Sequence, residues 1–132
     1  MNVRFLDLED GQNPLNGSIV GQSTQLMDLL SHLQGRPPFF CELIGESGYK
    51  LLLGIGGPRG CIQHSRADGD PPYLMAVADE SQHSNEDFEF LIGGTLTPVA
   101  SRFCVQFKTV REIAAHFQMT GERSPKTRWE AV

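Results

Sequence analysis

No apolar run in this 132-residue chain is long enough to cross a bilayer, and Met1-Asn2-Val3-Arg4 is not followed by a signal-peptide core. Those two absences set aside a membrane span and a secretory leader, so a cytoplasmic protein is expected. Cysteine is scarce as well. Cys41, Cys61 and Cys104 are odd in number, widely spaced and form no Cys-x-x-Cys pair, which argues against a disulfide framework. Each lies in an apolar stretch, where a free cysteine acts as a small buried hydrophobe. Basic charge is also short: 11 Lys and Arg against 16 Asp and Glu give a net charge of −5. Such a surface repels phosphate backbones and attracts a basic protein. Repeats, low-complexity tracts and charge-biased tails are absent, and the length suits one domain, residues 1–132, with a single core.

What is present is hydrophobic periodicity of two kinds. Leu26, Leu29, Leu30 and Leu33 recur at i, i+3, i+4 and i+7 after Ser23, an N-cap residue type, and before Gly35 and Pro37-Pro38. A helix over Ser23 to Gln34 is expected. Val110, Ile113, Ala114 and Phe117 repeat the spacing, so a second helix is expected over Thr109 to Met119. Thr109 and Glu112 have the Thr-x-x-Glu spacing of a capping box, and Gly121 supplies the stop. Outside the helices, short apolar segments alternate with turn residues. Val3–Leu8, Phe39–Ile44, Tyr49–Ile55, Cys61–His64, Tyr73–Val77, Phe88–Ile92 and Val99–Phe103 read as strands. Strands joined by short turns imply an α+β fold: an antiparallel sheet of about five to seven strands with two helices packed on one face. Trp129, between Arg128 and Glu130, belongs to a short terminal strand with its indole in the core and Glu130 on the opposite face.

Several patterns suggest chemistry. Gly54, Gly56, Gly57 and Gly60 form a glycine run, but a phosphate loop must lead into a helix and this one leads into Cys61–His64, a strand. The four histidines, His32, His64, His83 and His116, are scattered without ligand partners at metal spacing, so no metal and no cofactor is expected. Cys61, His64 and Asp68 offer a nucleophile, a base and a carboxylate. A Cys and a His three apart on a strand face opposite ways, however, which weighs against an active site. Arg59 and Arg123 follow glycine turns and read as solvated turn residues. Asp79, Glu80, Glu86, Asp87 and Glu89 cluster in a polar stretch and are the best candidates for partner binding.

The C-terminal segment adds a resemblance. Phe117, Thr120-Gly121-Glu122-Arg123, Pro125 and Trp129-Glu130, with Phe90, Gly93, Gly94 and Pro98 upstream, resemble the first-numbered immunity-protein family of bacterial polymorphic toxin systems. Leu51–Gly57 and Pro72-Tyr73-Leu74 fit the pattern more loosely. The resemblance implies a small α+β inhibitor that binds and occludes a cognate toxin, often a nucleic-acid-directed deaminase or nuclease. It implies no catalysis, no direct nucleic-acid contact and no membrane. Within it, Gly93, Gly94, Gly121, Trp129 and Glu130 serve as structural signature residues, and the partner is a toxin with a basic cleft. Two alternatives stand beside this reading: a small metabolite-binding or enzymatic domain using Gly56 to Arg66, and a scaffold domain of the same fold.

Overall fold

The computed structural model describes residues 1–132. Ten strands and two helices follow in order: β1 (Val3–Asp7), β2 (Ile19–Val20), α1 (Ser23–Gln34), β3 (Phe39–Gly45), β4 (Tyr49–Ile55), β5 (Arg59–Arg66), β6 (Leu74–Val77), β7 (Asp87–Ile92), β8 (Thr95–Ala100), β9 (Val105–Gln106), α2 (Phe107–Thr120) and β10 (Arg128–Ala131). The main sheet runs β10-β6-β5-β4-β3-β1-β2, with neighbouring strands antiparallel. The fold is α+β as expected. It has more strands than the patterning suggested because β2 and β9 are two-residue bridges too short to show a period.

Period-two alternation decides which side chains meet the helices. Cys41 and Leu43 from β3, Leu51 and Leu53 from β4 and Ile62 from β5 share one face, with Leu26, Leu30 and Leu33 of α1 and Val110, Ile113, Ala114 and Phe117 of α2 packed on it. Leu30 and Phe117 are fully buried, and Leu29 packs half-buried at the edge of the same core. The opposite face carries a smaller cluster. Phe40, Cys61, Phe90 and Cys104 are buried there because the β7–β8 hairpin folds across it. That hairpin meets the main sheet at one parallel contact, Phe39 opposite Leu91. Its two-residue turn is Gly93-Gly94, at φ 55° and 83°, a pair of positive φ values that only glycine adopts without cost.

Local expectations at the helix starts fail. α2 begins at Phe107, with Gln106 at the cap position, so Thr109 and Glu112 lie inside the first turns and make no capping box. Gln22 occupies the N-cap position of α1 without a side-chain cap bond, and Ser23 is already helical. In both cases a strand or extended segment delivers the chain directly into the helix, and packing sets the boundary. The stop of α2 is as expected: Gly121 adopts φ 75° and its N–H donates to the Phe117 carbonyl. The Val99–Phe103 strand is also displaced. β8 occupies Thr95–Ala100, and Ser101–Phe103 coil into a 3₁₀ turn.

All three cysteines are buried and free, as expected. Burial pushes the Cys104 thiol up to about 11 and raises Cys41 and Cys61 further, so none is a thiolate near neutral pH. No helix is long and apolar enough to cross a membrane.

Candidate functional site

The five acidic candidates all lie exposed on the chain between β6 and β8, but in two separate settings. Asp79 and Glu80 open a 3₁₀ turn, Glu80–Gln82, and border a groove of about 470 Å³. Glu112 of α2 joins them there, opposed by Lys126 and Arg128. Glu86, Asp87 and Glu89 lie further on. Asp87 belongs to β7 and not to the preceding loop, facing Ala100, while Glu89 faces Pro98. Both alternate with Phe88 and the buried Phe90, so their carboxylates sit on the solvent face of the hairpin. The geometry thus divides the set into a groove pair, Asp79 and Glu80, a hairpin pair, Asp87 and Glu89, and Glu86 just ahead of β7. Glu112 is the acid that sequence reasoning placed elsewhere, as a capping residue.

What holds this segment in place is Arg59. Its Nε donates to the Cys104 carbonyl at 2.9 Å, Nη2 to the Ser101 carbonyl at 3.0 Å and Nη1 to the Gln82 carbonyl at 3.3 Å. The guanidinium also lies 4.8 Å from the centroid of the Phe88 ring. A residue expected to be a solvated turn arginine therefore ties β5 to Gln82 within the acid-bearing stretch and to Ser101 and Cys104 beyond β8. One planar cation with five donors can satisfy several carbonyls at once. A second tie lies beside it. Ser84 N–H donates to Ser101 Oγ at 2.7 Å, and that hydroxyl donates back to the Ser84 carbonyl at 2.8 Å.

Asp7 is another residue the sequence did not single out. It ends β1 and is buried. Its Oδ1 accepts the N–H groups of Glu9 and Asp10 at 2.9 and 2.8 Å, and Oδ2 accepts Asn13 Nδ2 at 3.0 Å and Arg36 Nη1 at 2.8 Å. Burial alone would raise its pKa, but these four donors together outweigh it and hold the carboxyl below its usual value. The Asp7 carboxylate thus ties Glu9, Asp10 and Asn13 of the polar 8–17 segment to Arg36. An Asp closing an apolar strand ahead of a polar loop is the only signal in the sequence.

Gly56-Gly57 form the β4–β5 turn, which feeds β5, so the helix a phosphate loop requires is absent. Cys61 and His64 point to opposite faces, Cys61 into the hairpin-side cluster and His64 toward Phe117 and Trp129. The Cys61–His64–Asp68 constellation does not converge. Trp129 is half-buried against the helix-side core, with its indole N–H donating to the Ser124 carbonyl at 3.1 Å. Glu130, on the other face, pairs with Arg102 and Arg128.

A protein-family model described as immunity protein Imm1 matches residues 16–131. No curated protein matches the chain.

Proposed function

The chain belongs to the Imm1 immunity-protein family, and from that membership we propose that it binds a cognate bacterial toxin in the cytoplasm and neutralises it as an inhibitor, not as an enzyme. The observation that carries this reading is the family match over residues 16–131. The toxin is a nucleic-acid-directed deaminase or nuclease, and neutralisation is by occlusion of its active site. Two features support a basic toxin cleft as the complementary surface. The chain carries a net charge of −5, and the acids at Asp79, Glu80, Glu86, Asp87 and Glu89 are exposed on a segment anchored by Arg59. A rigid, correctly charged surface steers encounter and loses little ordering entropy on docking.

The experiment is growth of a bacterial host expressing the product of the gene adjacent to this one, with and without the chain. The reading predicts growth arrest in its absence and rescue in its presence. A toxin that remains lethal when both proteins are expressed and soluble would refute it.

A further inference from the structure

Strand β8 has β7 as its sole neighbour in the sheet and is the longest strand bonded on one side only. In an antiparallel pair, residues that exchange bonds alternate with residues whose N–H and C=O point away. The two-residue Gly93-Gly94 turn makes Ile92 and Thr95 a bonded pair. The same phase continues to Ser101, whose N–H donates to the Glu86 carbonyl at 3.2 Å. Thr97 and Val99 therefore face β7, while Leu96, Pro98 and Ala100 turn their backbone groups outward. Pro98 fits that phase, since proline has no N–H to give a ladder. So does β7 on its far side, where Leu91 N–H leaves the hairpin for the Pro38 carbonyl at 2.8 Å. No other part of the chain takes up the outward groups of Leu96 and Pro98 or the Ala100 N–H. The Ala100 carbonyl alone is met, by the Cys104 thiol at 3.6 Å. All three residues are exposed, Leu96 at 56%.

A row of free donors and acceptors is a template for another strand. A second copy of the chain is a poor occupant. Paired antiparallel about Pro98, it would set proline against proline and bring two acidic hairpins together. The side chains describe a different partner. Across the hairpin, Asp87 lies opposite Ala100 and Glu89 opposite Pro98, on the solvent face. A strand added beyond β8 would run about 10 Å from β7. Arginine or lysine lying over the small Pro98 and Ala100 closes that distance to the carboxylates. The added strand's other face would continue that of Val99, which packs with Leu52 and Met75 on the hairpin-side cluster. We propose that an extended segment of the toxin, basic on one face and apolar on the other, adds to β8 along Leu96 to Ala100 as a further strand. This rests on the inhibitor reading and supplies its docking mode.

The test is amide hydrogen exchange, read residue by residue by NMR, on the whole chain alone and bound to the product of the adjacent gene. In the free chain the Thr97 and Val99 amides should be protected by β7, while those of Leu96 and Ala100 exchange freely. In the complex Leu96 and Ala100 should slow by at least about tenfold. Ala100→Pro separates strand pairing from mere coverage. The φ of Ala100 is −59°, close to proline's about −65°, and its N–H points away from β7. The variant should melt like the parent and bind the toxin about tenfold more weakly, the worth of one hydrogen bond. Ala100→Ser keeps the N–H and should bind like the parent. Glu89→Lys should weaken binding by about tenfold. A complex in which the Leu96 and Ala100 amides still exchange freely overturns the proposal. So does a folded Ala100→Pro or Glu89→Lys variant that binds like the parent, or protection of Leu96 in the free chain by a second copy. Each of those results leaves toxin inhibition itself standing. The absence of any complex refutes the inhibitor reading, and the docking mode with it.

Discussion

Three buried or half-buried polar residues, Asp7, Arg59 and His64, carry much of this fold's specificity, and each answers to a different perturbation. Asp7 holds four donors, including Arg36. Asp7→Asn leaves Arg36 without its charge partner and should cost about 2–4 kcal/mol at pH 7. The folded-state pKa of Asp7 is depressed, so its contribution is fully present above the unfolded value of 3.8 and is lost as pH falls through the folded value. Urea denaturation of parent and variant should therefore differ at pH 7 and converge as pH falls below 3.8. His64 works in another window. Its folded pKa lies below the unfolded 6.5, so the unfolded chain binds a proton first. Stability should drop as pH falls below 6.5 and level off at the folded value. A melting curve from pH 7.5 to 5.5 should slope more steeply for the parent than for His64→Phe, which keeps the aromatic packing. Arg59→Ala removes the donors to Gln82, Ser101 and Cys104. It should destabilise by about 2–3 kcal/mol and also slow partner binding by loosening the acidic ridge.

At the scale of elements, the decisive test is β10. Its pairing with β6 sets Trp129 opposite Ala76, with the indole half-buried against the helix-side core. Because the ring is not fully enclosed, Trp129→Ala should cost about 2–3 kcal/mol, below the 3–5 typical of a buried aromatic. Glu130→Gln should change stability by about 1 kcal/mol or less, since its ion pairs are exposed. Thermal melts distinguish the two. The helices and the β3–β4 hairpin were legible in the sequence because local periodicity and a glycine-bearing turn specify them without help from elsewhere. The leucine face of α1 and the Phe117 face of α2 are buried as the spacing implied. Features set by tertiary contact were not legible. Nothing local in Val99–Phe103 announces that Ser101 turns to bond Ser84, or that α2 starts two residues before its expected capping box. Arg59 sits after a turn like any surface arginine, and only the return of the chain at Gln82 and Ser101 gives it partners.

For the whole molecule, the acid pattern was visible but its division was not, because Asp87 and Glu89 ride on a hairpin that folds over the second sheet face, with Glu86 just ahead of it, while Asp79 and Glu80 meet α2 in a groove. Replacing Asp79, Glu86 and Asp87 together by Lys should leave the melting temperature close to that of the parent, since all three are exposed. Association with the toxin should slow by about tenfold at low salt. The gap should narrow as the Debye length contracts from about 10 Å at 0.1 M to about 3 Å at 1 M. Stopped-flow mixing at two salt concentrations checks this. An unchanged rate would move the interface off the acidic ridge. The central claim, that this member of the Imm1 family is a stoichiometric toxin inhibitor, is tested most directly by titrating the purified toxin's activity with the purified chain. Activity should fall linearly and vanish at an equimolar ratio. Full toxin activity in the presence of an excess of folded chain would contradict it.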